Sequence, residues 1–287
     1  MQSFLFSLGV LLLTIVSIGA QVTVEVVLEQ QQYLRDEAIP VKVRITNRSG
    51  KPLKLGREAD WLSFAIETSE GRSVARLSDA PVKDEFTLAS SMVATRRVDL
   101  TPHYDLSLAG QYSVTATVKI PEWNQELPTK PKRFEVVRGT RLWEQTIGVP
   151  AGNTAAPEIR RYILQQAHLK RLTLYARVTD ESENLTYRLL PVGPLVSFSR
   201  PEPQVDKESN LHLLFQTGAR SFSYSVITPK GELVSRQTHD YTRTRPVLRS
   251  AEDGRIYVAG GQRRFATDDL PPPVTASPTN NVSAITP

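Results

Sequence analysis

Val41, Val43 and Ile45 alternate with Lys42 and Arg44, and this period of two recurs along the whole chain. Successive side chains of an extended strand point to opposite faces, so alternation of this kind marks strands with one buried face. In residues 21–138 it predicts strands over Val22–Leu28, Ile39–Thr46, Trp61–Glu67, Ser73–Leu77, Arg96–Leu100, Gln111–Ile120 and Arg133–Val137. Turn-forming runs such as Asn47-Arg-Ser-Gly-Lys-Pro52 and Ser69-Glu-Gly71 separate them. In the second half the same reading gives strands over Glu158–Gln166, Leu172–Val178, Leu211–Gln216, Ser221–Ile227 and Leu233–Gln237. Ile159–Leu169 also has helical propensity, but its neighbours favour a strand. The expected fold is all-β. An immunoglobulin-like β-sandwich over 21–138 is followed by a blade-like antiparallel β-meander domain over 158–270, an incomplete propeller or a pair of packed sheets. The join, 139–157, holds one more candidate strand around Trp143, Ile147 and Val149, then a small-residue linker, Pro150–Pro157.

The second half carries an internal echo. Pro203-Gln-Val-Asp-Lys-Glu-Ser-Asn210-Leu-His-Leu-Leu can be laid on Pro246-Val-Leu-Arg-Ser-Ala-Glu-Asp253-Gly-Arg-Ile-Tyr without a gap, at an offset of 43 residues. A second echo pairs Gly193-Pro-Leu-Val-Ser197 with Gly231-Glu-Leu-Val-Ser235, which places Gly193 and Gly231 at matching hairpin positions. One blade of a propeller occupies about 40–45 residues. The segment has room for about two and a half such units, whereas a closed propeller takes about four to eight. An open pair of packed meander sheets is therefore the simplest expectation.

Residues 1–20 are uncharged and apolar and end in small residues, Ser17, Gly19 and Ala20. The run is short for a membrane span, which needs about 20 apolar residues. It reads as a signal peptide cleaved near Ala20, leaving no transmembrane segment and placing the chain in the periplasm or outside the cell. The chain has no cysteine. That excludes disulfides, thiolate metal sites and a cysteine nucleophile, and favours a bacterial envelope protein over a eukaryotic secreted one. Asn47-Arg-Ser49, Asn184-Leu-Thr186 and Asn281-Val-Ser283 fit the glycosylation pattern. The tail 271–287 has no core-forming period and is expected to be disordered.

The formal charge of +5 is uneven: residues 140–264 carry 18 basic and 12 acidic side chains, and 15 of the basic ones are Arg. The planar guanidinium fork matches carboxylate, phosphate and sulfate. An anionic glycan or a protein is the expected partner. Nucleic acid is not, since no basic helix or aromatic-basic interleaving is present.

Candidate chemistry is sparse. Asp206, His212, His239 and Asp240 all fall in the repeat region and could form a His/carboxylate cluster. Glu202 with Asp206 is a possible carboxylate pair for glycoside hydrolysis. No spacing fixes either set, and His212 could equally be a hydrogen-bonded sheet residue. The sequence therefore assigns no catalytic residue, no cofactor-binding residue, no metal ligand and no cofactor.

Three resemblances add to this. Leu108-Ala-Gly110-Gln-Tyr112-Ser-Val114 resembles the tyrosine corner of immunoglobulin-like domains, with Val114 where those domains carry a core Cys. It implies a Tyr112 hydroxyl bonded back to the chain a few residues upstream. Thr228-Pro-Lys-Gly231 and Asp253-Gly254 share only turn chemistry with the Asp-containing boxes of sialidase-type propellers. Leu195–Asp206, Asn210–Leu214, Thr244-Arg-Pro246 and Gly260–Arg264 together are similar to a group of exported bacterial β-rich proteins of unassigned function, which implies a shared module and no activity. The expected role is an exported, non-enzymatic binding or structural module. The alternative is a carbohydrate-active or other hydrolase with its site in the repeat domain.

Overall fold

The computed structural model describes residues 21–80, 82, 85–149 and 158–271. The expected signal peptide, the Pro150–Pro157 linker, Asn281 and nearly all of the tail lie outside them. The described chain is all-β, its sheets are antiparallel, and none closes on itself. No helix among the described residues is long and apolar enough to cross a membrane. The chain divides into two compact units. The first holds the described residues up to Tyr33 together with Ala38–Val136; the second holds Leu34–Glu37 and the described residues from Val137 onward.

In the first unit, β1 (Val22–Leu28), β3 (Pro40–Asn47) and β7 (Val93–Asp99) form one sheet in the order β1-β3-β7. A second sheet runs β2 (Gln32–Leu34), β10 (Lys132–Val137), β8 (Gly110–Ile120), β5 (Leu62–Thr68), with β9 (Gln125–Pro128) also on β8. A short pair, β4 (Leu53–Leu55) with β6 (Phe86–Leu88), completes it. Val41, Val43 and Ile45 of β3 share one core with Leu62, Phe64 and Ile66 of β5 and with Tyr112, Val114, Ala116 and Val118 of β8. These are the residues whose alternation marks the strands, so period-two patterning and core coincide. Buried polar groups are paired: the Trp61 indole donates to the Val82 carbonyl at 2.9 Å and the Tyr104 hydroxyl to the Phe64 carbonyl at 2.6 Å. Tyr112 donates its hydroxyl to the Leu108 carbonyl at 2.7 Å, tying down the loop that enters β8.

Two expectations fail here. Ser73–Leu77 makes only isolated bridges, Glu67 with Ser73 and Arg76 with Tyr104, and no strand. Asn47, an apparent glycosylation site, is wholly buried; its amide donates to the carbonyls of Lys51 and Leu88 at 2.7 and 2.9 Å and is not available to a glycan.

In the second unit, β11 (Thr140–Val149), β12 (Glu158–His168), β13 (Leu172–Asp180) and β14 (Thr186–Pro194) form a sequential four-stranded meander. The helical alternative for Ile159–Leu169 loses because Tyr162, Ile163, Leu164 and Gln165 are buried in succession between paired strands. A second meander, β15 (Glu202–Val205), β16 (Leu211–Gln216), β17 (Ser221–Ile227) and β18 (Leu233–Asp240), gains β21 (Gln262–Arg264) at its edge. Leu211, Leu213, Phe215 and Ile227 pack on Leu164, Leu174, Ala176 and Val178 of the first meander. Its other face carries Leu214, Phe222 and Tyr224, which pack under Leu248 and Ile256 of the hairpin β19 (Val247–Ser250) and β20 (Ile256–Ala259).

The turns of the first echo match, though at a shifted register and in a pattern that also closes Thr68–Arg72 and Thr228–Glu232. In β15–β16 the Asp206 amide donates to the Asn210 carbonyl and the Ser209 amide to the Asp206 carbonyl; in β19–β20 Ala251 donates to Arg255 and Gly254 to Ala251. Ser209 and Gly254 occupy the same left-handed position, φ 66° and 86°. Position 206 thus matches 251 and 209 matches 254, an offset of 45 rather than 43. A shift of two leaves every side chain on its own face, so alternation cannot detect it. The second echo is coincidental: Gly193 lies inside β14 opposite Leu174, whereas Gly231 closes the Thr228–Gly231 turn at φ +78°.

Two substitutions test these assignments. Tyr112→Phe removes one hydrogen bond and should lower the unfolding free energy by about 0.5–1.5 kcal/mol; an unchanged denaturant midpoint would show the bond contributes nothing. Gly231→Val forces a side chain into a left-handed conformation, a cost of roughly 1–2 kcal/mol, and onto the Arg188 side chain. Its thermal midpoint should drop clearly, and a wild-type midpoint would refute the turn geometry.

Candidate functional site

The site grows out of the turn between β15 and β16. Asp206 ends β15, and its Oδ1 accepts the Asn210 backbone N–H at 2.7 Å, an Asx-type closure that Asp provides readily. Its Oδ2 accepts the Asn210 side-chain amide at 3.0 Å and lies 3.0 Å from His212 Nε2. His212 Nδ1 lies 2.7 Å from the Tyr224 hydroxyl. One neutral tautomer satisfies both contacts: Nε2–H donates to Asp206, and Nδ1 accepts from Tyr224. Burial pushes the Asp206 carboxyl up, but the hydrogen bonds from His212 and Asn210 outweigh it and hold it below the ordinary range. Burial, and then the Asp206 charge, push the Tyr224 phenol up to about 12.

Of the four residues that could form a His/carboxylate cluster, only Asp206 and His212 meet. His239 of β18 meets the other side of Tyr224 edge-on, with ring centroids 6.5 Å apart. Burial, followed by the Arg263 charge, lowers its pKa, against the opposing pull of Asp269 and Asp240. Asp240 follows His239 in the strand and so faces the other way, where Ser221 Oγ donates to it at 3.1 Å and Arg264 Nε at 2.8 Å. Glu202 is also engaged: it accepts the Leu248 N–H at 3.3 Å and pairs with Arg245 at 3.5 Å. Glu202 and Asp206 lie four residues apart along an extended segment, about 13 Å at ~3.3 Å per residue. Glycosidase carboxylates are about 5–9.5 Å apart.

Two participants escaped the sequence reading. Tyr224 is one position off the direct partner of His212 on its own face of the sheet, and its only sequence signal is its place in the alternating Ser221–Ile227 strand. Asp269 lies beyond the last expected strand, yet its carboxylate is fully buried without a hydrogen bond and only Arg263, 3.5 Å away, approaches it. Among the described residues no group of three or more His, Cys, Asp or Glu is placed to hold a metal ion.

No described protein family and no curated protein matches this chain. Among solved structures, it is similar to that of Spo0M, a sporulation control protein from Bacillus subtilis, at 10% identity and a TM-score of 0.28, over 60% of this chain and 89% of that one. At that level the likeness carries no argument about function.

The titrations give a testable sign. His239 has a folded pKa below its unfolded value of about 6.5, so its contribution is complete above that pH and is lost as pH falls. Asp206 behaves likewise below its unfolded value of about 3.9. Thermal unfolding should therefore show falling stability from pH 7 to 5, with a further fall below pH 4. His239→Gln should flatten the first step, and a profile unchanged by that substitution would contradict the assignment.

Proposed function

We propose that this chain is an exported, non-enzymatic binding module of the bacterial cell envelope. In this reading an immunoglobulin-like sandwich carries a blade-like β unit that engages a protein or an acidic glycan. One observation carries it: the candidate groups Asp206, His212, Tyr224 and Glu202 are spent on the fold. The Asp206 and His212 side chains are only 12% and 10% exposed. Asp206 closes a turn, His212 bridges Asp206 to Tyr224, and Glu202 braces the β19–β20 hairpin. The hydrogen-bond chain ends on the Tyr224 hydroxyl, which is buried away from any substrate, and Glu202 and Asp206 are too far apart for glycoside hydrolysis.

Further features support the parts of this reading. The Tyr112–Leu108 bond is the one a tyrosine corner requires. The two sequential four-stranded meanders have the strand order of propeller blades. The uncharged apolar start and the lack of cysteine support export to a bacterial envelope.

The purified chain, incubated with a panel of oligosaccharides and esters and with envelope extract, should retain a ligand saturably and release no product. Turnover that disappears in a folded His212→Asn variant would overturn the reading in favour of a hydrolase.

A further inference from the structure

The face of the β11–β14 sheet turned away from its shared core carries charge where the other face carries Leu and Val. Arg141, Gln165 and Arg177 lie on that face, with Arg141 opposite Gln165 in the register. Together with Arg35, Arg138 and Glu183 they line a cavity of about 280 Å³ within the second unit. Four guanidinium groups thus meet one carboxylate on its wall.

The acids nearby are already committed. Glu183 accepts Arg141 at 2.7 Å through one oxygen and Arg161 at 3.0 Å through the other. Asp36 is paired with Arg177, whose Nε also donates to Thr186 Oγ1 at 3.0 Å. Burial pushes the Arg177 guanidinium's pKa down, and the Asp36 charge works against that. Two arginines are less fully engaged: Arg35 pairs with Asp36 only at 3.7 Å, and Arg138 has no acidic partner among the described residues. Arg35 Nε is buried with no hydrogen-bond partner, and the nearest Asp36 oxygen is 3.7 Å away, beyond hydrogen-bonding range. Arg138 is exposed and makes no ion pair among the described residues. A buried donor without an acceptor is unfavourable, and an oxyanion placed between two planar forks would satisfy it with charge-assisted bonds.

We propose that this cavity binds a small oxyanion ligand, the carboxylate of a sugar acid or the phosphate of a sugar phosphate, on Arg35 and Arg138, with Arg141 and Arg177 held behind them by Glu183 and Asp36. The proposal rests on the binding-module reading and gives it a location. The volume lies at the small end of ligand pockets, which run from about 300 to 1,000 Å³, and suits a single ring better than a chain. Gln165 supplies an amide for ring hydroxyls.

Isothermal titration calorimetry on the purified chain at low ionic strength tests this with glucuronate, glucose 6-phosphate, inorganic phosphate and glucose. Glucuronate or glucose 6-phosphate should bind saturably, glucose should not, and the tighter of the two anions identifies the group. Arg138→Glu, at an exposed position, should weaken that binding at least tenfold without moving the thermal midpoint, and Arg35→Gln should weaken it similarly. Inorganic phosphate binding as tightly as the sugar phosphate would overturn the sugar assignment. Undiminished binding in Arg138→Glu would overturn the cavity while leaving the binding-module reading intact. No binding of any anion would also overturn the cavity, and the broader reading would then stand or fall on its own retention assay.

Discussion

Burial on both faces of the β15–β18 sheet is the constraint from which the second unit follows. Leu211 to Phe215 are buried without interruption, because one face meets the β11–β14 meander and the other meets the β19–β20 hairpin. A strand in that position takes up a buried imidazole side chain at the least free-energy cost when both ring nitrogens find partners. His212 is that side chain, and the turn carboxylate of Asp206 and the hydroxyl of Tyr224 are its two partners. The cluster that resembles catalytic chemistry in one dimension is thus what a two-sided sheet requires when its middle strand contains an imidazole.

The arginine excess has a similar explanation in most places. Arg160 lies over Tyr187 at 4.3 Å, Arg245 over Phe222 at 5.3 Å and Arg263 over Phe265 at 4.8 Å, so long apolar stems and flat cationic heads cover aromatic surface. Others pair with Asp36, Glu158, Glu183 and Asp240. What distinguishes the cavity beside Arg35 and Arg138 is that its acids are already shared, leaving Arg138 unpaired among the described residues and the Arg35 Nε without a hydrogen bond.

The alternating strands were legible because their pattern is the core itself: Val41, Val43 and Ile45 are each 0% exposed. Of the strands missed, β2, β4, β6, β9, β15, β19 and β21 have three or four residues, too few to show a period, whereas the longer β14 buries its side chains without strict alternation. Ser73–Leu77 makes only isolated bridges to two different segments, so it forms no continuous ladder. The likeness of the β15–β16 and β19–β20 hairpins was visible, but its register was not, because only the turn hydrogen bonds separate an offset of 45 from one of 43. The Asp206–His212 pair is completed by Tyr224, a residue of another strand, and linear spacing does not encode cross-strand neighbours.

Asp206, His212 and Tyr224 act as one structural unit through a shared imidazole. A double-mutant cycle on unfolding free energy, with Asp206→Asn, Tyr224→Phe and their combination, measures that directly. Contacts in one hydrogen-bonded network typically couple by about 0.5–3 kcal/mol, and a coupling in that range is the predicted result. Strictly additive effects, with each single substitution nearly neutral, would contradict the claim that this cluster holds the sheet together.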